Sequence, residues 1–291
     1  MENGIGHVHW LHGLTDYFEF TGEQEPKKFV EFILKLLYAD NPVITTTEES
    51  GMSEFVHTLR KYVSSDIIDV LYKYYREGYD PMPLQDAFSR GQVNSKIWLT
   101  EELAKVSDNF KTIYHLGGWY GQLTWYFKNR ISFDKYRNFD IDESACRISD
   151  TVVNLQHLEG YKVKSVQMGL PLWTDTDESK NMSWITRTGC EYSIKNFTSG
   201  NEFKEKTQPD LIINTSAEHM PSIWFDKFVN RPQATDPVFV IQSNNLFDAE
   251  GHVNCVHSIE HMLKKFPLTR LDYSGELQLP GYKRFMVIGR P

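Results

Sequence analysis

The sequence predicts an α/β protein, a doubly wound, mostly parallel sheet closed by an antiparallel hairpin and preceded by a helical extension. Three observations predict it. From about residue 88 onward, strand-like and helix-like segments alternate, as a sheet covered by helices on both faces requires. Within that region Lys111 to Gly121, KTIYHLGGWYG, is an apolar run that stops in three glycines, and Asp140 follows nineteen residues after Gly121. A strand ending in glycines before a helix lets backbone N–H groups approach a ligand, and a carboxylate at the tip of the next strand can accept hydrogen bonds from ribose hydroxyls. Near the end of the chain, LTRLDYSGELQL and FMVIGRP are joined only by PGYKR. Strands linked so tightly are antiparallel, because a parallel pair needs a crossover of about a dozen residues.

The elements follow in chain order. Phe29, Phe32, Ile33, Leu36 and Leu37 repeat at helical spacing, which predicts a helix from Pro26 to Ala39, with the proline in its first turn and Asn41–Pro42 closing it. Two more helices are expected at Ser53 to Val63 and Ser65 to Glu77, the second ended by Gly78 and the turn-rich Asp80 to Pro83. Residues 1–87 therefore read as a helical N-terminal extension and residues 88–291 as the α/β domain. Ser95 is expected to cap a helix reaching Val106, with Ile97, Trp98, Leu99 and Leu103 for burial and Glu101 and Glu102 toward solvent.

Strands are then expected at Lys111 to Leu116, Tyr136 to Ile141, Tyr161 to Met168, Asp210 to Asn214 and Pro237 to Gln242. Helices are expected over ESACRISDTVVNLQHL after the second strand and VNCVHSIEHMLKKF after the fifth. Pro171 to Gln208, with Trp173 and Trp184, is too long for a plain connection and should hold an insertion.

Composition narrows the class. With 291 residues, 40% of them hydrophobic and 14% aromatic, the chain can bury a sizeable core. No segment has the layout of a secretory leader or the length of a membrane span, so a soluble cytoplasmic protein is expected. Cys146, Cys190 and Cys255 are odd in number and widely spaced, which suits neither a disulfide framework nor a zinc ribbon. A net charge of −8 argues against a global electrostatic grip on nucleic acid; the basic pairs Lys27–Lys28, Lys264–Lys265 and Lys283–Arg284 read as solvated surface.

The glycine-rich stretch resembles motif I of the class I S-adenosylmethionine-dependent methyltransferases, and the pairing of GQVNSKIWL with HLGGWYG resembles methyltransferase-like proteins of phages and bacteria. The usual form is acidic-x-G-x-G-x-G; here Gly117 and Gly121 match the outer glycines, His115 stands for the acidic residue and Trp119 for the middle glycine. The terminal hairpin resembles the sixth and seventh strands of that Rossmann-like fold, a pair the usual dinucleotide fold lacks. The resemblance implies S-adenosylmethionine as cofactor, bound by His115, Gly117, Gly118, Trp119, Tyr120, Gly121 and the ribose-binding Asp140. Asp142 reads as a helix N-cap.

The fourth strand ends DLIINTSAEHMPSIWF. Ligands of doubly wound sheets sit beyond the carboxyl ends of the strands, so this is the expected catalytic segment. Asn214, Glu218 and His219 are the candidates, Glu218 or His219 to remove a proton from a nitrogen or oxygen nucleophile or to orient it for in-line attack on the methyl group. The Asp/Asn-Pro-Pro-aromatic signature of amine methylation on bases and the Pro-Cys of cytosine carbon methylation are both missing. The acceptor, a small molecule or a nucleic acid, stays open. Two other readings stand beside this one, a noncatalytic cofactor-binding or interaction module of the same fold and a nicotinamide-dependent oxidoreductase.

His7, His9 and His12 form an H-x-H-x-x-H cluster, but no converging fourth ligand is identifiable and Trp10 and Leu11 suggest a partly buried turn, so no metal is assigned. Of the aromatics Trp119, Tyr120, Trp125, Tyr126 and Phe127, the last three read as core.

Overall fold

The computed structural model describes residues 9–38, 49–62, 64–154, 162–168, 185–186, 189–229 and 236–291. It divides into two compact units, Met1–Trp98 and Leu99–Pro291.

The first unit is helical: α1 (His9–Thr21), α2 (Gln24–Tyr38), α3 (Glu49–Tyr62), α4 (Asp66–Arg76) and α5 (Pro81–Ala87), followed by the start of α6 (Arg90–Val106). The turn expected around Trp10 is instead the first turn of α1, whose Trp10, Leu11, Leu14, Tyr17 and Phe18 form one buried stripe. His7 and the side chain of His9 lie outside the described residues. Among the described side chains of α2, Pro26, Val30, Ile33 and Leu34 are buried and Phe29 is half-buried, whereas Phe32, expected on the apolar face, is exposed. Helix α4 buries Ile67, Ile68, Val70, Leu71 and Tyr74, and Gly78 follows it with φ of +78°. The segment read as a turn at Asp80 to Pro83 begins α5, because prolines need no N–H in a helix's first turn. Ser95 does not cap α6. It is buried within the helix, and its hydroxyl donates back to the Gly91 carbonyl.

The second unit is built on a seven-stranded sheet of order β3-β2-β1-β7-β8-β10-β9. Its strands are β1 (Asn109–Leu116), β2 (Ser132–Asp140), β3 (Val163–Gln167), β7 (Leu211–Asn214), β8 (Val238–Asn244), β9 (Arg270–Leu279) and β10 (Tyr282–Arg290). The strands from β3 to β8 in that order are parallel, while β10 runs antiparallel to both β8 and β9. This is the strand order and direction of the class I methyltransferase fold, as expected. Buried along their whole length, β7 and β8 begin as apolar runs, LII and VFVI, and end in the buried polar residues Asn214 and Gln242, Ser243 and Asn244. The hairpin turns at Pro280–Gly281, where Gly281 has φ of +84°.

The insertion between β3 and β7 contributes a second, antiparallel sheet of β4 (Ile185–Thr186), β5 (Gly189–Lys195) and β6 (Glu202–Thr207). Trp173 and Trp184 lie outside the described residues. Cys190, Tyr192 and Ile194 of β5 join Tyr114, Phe139, Trp224 and Phe285 in the main core. Polar pins add to this contact: Glu205 of β6 accepts from Arg137 Nε (2.6 Å) and Nη2 (2.9 Å) of β2 and from Tyr192 Oη (2.9 Å).

Helix lengths depart most from expectation. After β1, α7 (Leu123–Phe127) is five residues, all buried, which agrees with the core reading of Trp125, Tyr126 and Phe127. After β2, α8 (Glu143–Ile148) passes into a wider π turn over Ser149–Val153. Helix α9 (Ile223–Val229) precedes β8, and α10 is confined to Ile259–Lys265, where Ser258 caps it by accepting the His261 N–H, while Val253 and Asn254 donate to the Glu218 carbonyl. The three cysteines are buried and form no disulfide among the described residues. No helix among the described residues is long and apolar enough to cross a membrane.

Candidate functional site

Parallel pairing brings one end of β1, β2, β7 and β8 together: Leu116 lies opposite Phe139 on one side and Asn214 on the other, and Asn214 opposite Ile241. The glycine loop starts there. Gly117 turns with φ of +63°, donates its N–H to the Phe139 carbonyl (2.8 Å), and lies so close to Met220 that a Cβ would meet the thioether methyl. Gly118 is equally confined, by the Asn138 amide oxygen and the His115 ring.

Trp119 sits with φ of +50°, a left-handed conformation that costs a non-glycine residue about 1–2 kcal/mol. Its surroundings hold it there. The Trp119 N–H donates to Asp140 Oδ2 (2.8 Å), Asn138 Nδ2 donates to the Trp119 carbonyl (2.8 Å), and the indole stacks on Tyr120 with centroids 4.4 Å apart. The bulky residue is thus held in the left-handed conformation that a glycine adopts most readily.

Asp140, half-buried at the tip of β2, also accepts the Asp142 N–H on Oδ1 (3.0 Å). Burial pushes its carboxyl above the usual carboxylate range, against the pull of those two N–H groups. Each oxygen keeps a lone pair for a further donor. Beside it Ile141 is 63% exposed, an apolar side chain at the mouth of the strand ends that pattern reading passed over. Asp142 is the N-cap of α8, accepting from the Ser144 N–H (2.7 Å), as expected.

His115 is buried among polar partners. Its Nδ1 lies 2.6 Å from Tyr136 Oη and its Nε2 3.0 Å from Thr215 Oγ1, so both ring nitrogens tie β1 to its neighbours. A direct hydrogen bond from this ring to the methionine part of a cofactor, as the motif suggested, has no nitrogen left to make it.

The other edge is assembled by side chains. Asn214 is fully buried, its Oδ1 accepting the Ser216 N–H (2.9 Å) and its Nδ2 facing Met220 Sδ (3.3 Å). Glu218 is 2% exposed; its Oε1 accepts from Arg284 Nη2 (2.8 Å) and Asn244 Nδ2 (2.8 Å), and its carbonyl accepts the N–H groups of Val253 and Asn254. Arg284, expected on a solvated surface, is instead 4% exposed and also donates to the Thr215 carbonyl (3.1 Å). The pair Glu218–Arg284 couples the loop after β7 to β10 and leaves Glu218 no simple role as a free base. His219 is exposed, with Nδ1 3.1 Å from the Gly251 carbonyl, and packs edge-on against His252 with centroids 4.5 Å apart.

Of the predicted residues, the structure groups Gly117, Gly118, Trp119, Tyr120, Gly121 and Asp140 around one loop, with Asn214, Glu218 and His219 along the adjoining edge. Asn244, His252, Arg284 and Ile141 were not foreseen. Their only sequence signal is their place after, or within, strands whose pairing the sequence does not display.

No family profile and no curated protein matches the sequence. Among solved structures, the chain is similar to N-methyltransferase NodS from Bradyrhizobium japonicum WM9 in complex with S-adenosyl-l-homocysteine (11% identity, 76% of this chain and 98% of that one, TM-score 0.46). It is similar to magnesium protoporphyrin IX methyltransferase from Synechocystis PCC 6803 with the same ligand (12% identity, 81% and 98%, TM-score 0.46). A SAM-dependent methyltransferase from Aquifex aeolicus is a further likeness (14% identity, 73% and 98%, TM-score 0.42). The fold assignment itself rests on the order and direction of the strands.

Proposed function

We propose that this protein is an S-adenosylmethionine-dependent methyltransferase acting on a nitrogen or oxygen nucleophile. The observation that carries the reading is the sheet, with β10 antiparallel between β8 and β9, bearing a glycine turn at the tip of β1 that faces a carboxylate at the tip of β2. The nicotinamide reading loses ground on the same observation, since the usual dinucleotide fold has no such hairpin.

The residues present fit an adenosyl compound at its nucleoside end. Asp140 has lone pairs for ribose hydroxyls, and Ile141 and the Trp119–Tyr120 stack offer apolar surface to a flat base. Gly117, Ser216 and Met220 would border the other end. Once bound, the cofactor would supply an electrophilic methyl group, so the protein's task is chiefly alignment of the acceptor. With Asn214 and Glu218 committed to internal bonds, we assign contact with the acceptor to His219.

Specific observations also favour a second reading, a cofactor-binding module without catalysis: both nitrogens of His115 are engaged, Glu218 is ion-paired, and Met220 lies over Gly117. Calorimetry with S-adenosylhomocysteine, followed by methyl transfer from labelled cofactor to nucleic acid, protein and metabolite pools, separates the two. Binding with product supports the enzyme, binding without product the module, and no binding overturns both.

A further inference from the structure

We infer that Glu218, His219 and His252 form a binding site for one divalent transition-metal ion, of the zinc type, beside the carboxyl ends of β7 and β8. One ligand atom from each of the three lies within 4.8 Å of the others. Around a shared zinc ion, nitrogen and oxygen ligands about 2.0–2.2 Å from the metal stand roughly 3.4 Å apart, so closing the set takes about an ångström of side-chain movement. His219 is exposed and His252 half-buried, which leaves that movement open to them.

The tautomers are the ones a metal needs. Nδ1 of His219 lies 3.1 Å from the Gly251 carbonyl and Nδ1 of His252 lies 2.9 Å from the Leu246 carbonyl. A carbonyl only accepts, so in both rings Nδ1 carries the proton and Nε2 keeps a lone pair with which it can ligate. An imidazole oriented by a backbone carbonyl through its other nitrogen is the usual supporting arrangement for a metal-binding histidine.

Glu218 supplies an independent observation. Its Oε1 takes both donors, Arg284 and Asn244, while its buried Oε2 has no hydrogen-bond partner among the described residues. A buried carboxylate oxygen without a donor is costly, by about 1–3 kcal/mol or more, and calls for an explanation such as an ion. The same residue fixes the cluster, since its carbonyl accepts from Val253 and Asn254 and thereby brings His252 beside His219.

Arg284 decides which metal. It occupies one oxygen of Glu218, which leaves a single carboxylate oxygen for an ion, too few for magnesium or calcium, ions that need several oxygen ligands. Two imidazoles and one carboxylate suit zinc or its neighbours in the series. Cys255 Sγ lies 3.5 Å from His252 Nδ1 but is directed at the Asn244 amide oxygen (3.4 Å) and the Leu246 carbonyl (3.3 Å), so it is not counted as a ligand. A metal here would use the His219 lone pair, and the acceptor contact assigned above would then run through the metal.

The test uses the full chain stripped of metal, without cofactor or acceptor, so its failure leaves the methyl-transfer reading untouched. To remove the amino-terminal cluster as a competitor, the background carries His7→Ala, His9→Ala and His12→Ala. Calorimetry with zinc chloride is expected to give one ion per chain, and cobalt(II) to give visible ligand-field bands. His219→Ala and His252→Ala should each weaken zinc at least about tenfold, the scale on which site-shaping changes act, whereas His257→Ala and His261→Ala should not. Neither target is part of a packed core, and an unchanged metal-free melting curve checks that each variant folds. Zinc and cobalt silent in the parent, or bound equally by the His219→Ala/His252→Ala double variant, would overturn the inference.

Discussion

The two edges of the strand-end crevice hold their carboxylates in opposite ways. At the tip of β2, Asp140 is gripped by backbone N–H groups of Trp119 and Asp142, stays half-buried, and keeps further lone pairs for other donors. Beyond β7, Glu218 is enclosed by the side chains of Arg284 and Asn244, one on β10 and the other on β8. Backbone donors leave a carboxylate ionised and presentable, whereas a buried guanidinium turns it into a strut. The contrast separates a group that meets a ligand from one that positions its neighbours.

Breaking the strut should have the largest effect. Removing one partner of a buried ion pair leaves an unpaired buried charge and costs about 3–5 kcal/mol, so Glu218→Ala should lower unfolding stability by that much in urea titrations. The double variant Glu218→Gln/Arg284→Met should recover more than half of the loss, because it removes the stranded charge. If Glu218→Ala cost under about 1 kcal/mol, the contrast between the edges would fail.

Strand β2 sharpens the comparison, since it carries both kinds of support. Its Arg137 is fully buried against Glu205, and although burial pushes the Glu205 carboxyl up, hydrogen bonds from Arg137 and Lys135 outweigh that and bring it down to about 2. A carboxyl depressed in the fold contributes stability present above its ordinary value of 4.5 and lost as pH falls toward 2. That contribution is roughly 3 kcal/mol. Glu205→Gln should therefore destabilise the protein at pH 7 and flatten its acid-unfolding curve between those limits.

A smaller loss is expected at the loop. Gly118→Ala would push a methyl group into the Asn138 amide and the His115 ring, an overpacking cost of about 1–3 kcal/mol measurable as a lowered melting temperature. A neutral result would mean that the loop can shift away from β2.

These sites were unequally legible in the sequence, for a physical reason. The first edge is local: the run from His115 to Asp142 contains the glycines, the carboxylate and the donors that hold it, so spacing alone drew it together. The second edge joins residues 218, 244, 252 and 284, and only the pairing of β8 with β10 brings them together. Arg284 therefore read as surface charge, and Glu218 as a free base. The strands followed from apolar runs and the hairpin's direction from its short turn, while the start of α10 was misjudged because Ser258 caps it, five residues beyond the apolar start at Val253. Phe32 shows the limit of periodicity, because it is exposed while Val30, Ile33 and Leu34 of α2 are buried.

The smallest stability change belongs to Asp140, and there the pH dependence is diagnostic. Its carboxyl is raised by burial, so the stability it contributes is present when it is protonated and lost as pH rises through its folded value; at pH 7 its charge is a burden. Asp140→Asn removes that charge while keeping one acceptor for the Trp119 N–H, and the two effects should cancel to within about 1 kcal/mol. Ligand binding should respond quite differently. Hydrogen bonds from ribose hydroxyls to an ionised acceptor contribute about 1.5–3 kcal/mol, so Asp140→Asn should weaken S-adenosylhomocysteine roughly ten- to hundredfold. In the parent protein the same binding should fade as pH falls through the raised value, at higher pH than an ordinary carboxylate would give. Calorimetry across that range checks both, and unaltered binding by the asparagine variant would remove Asp140 from the proposed site.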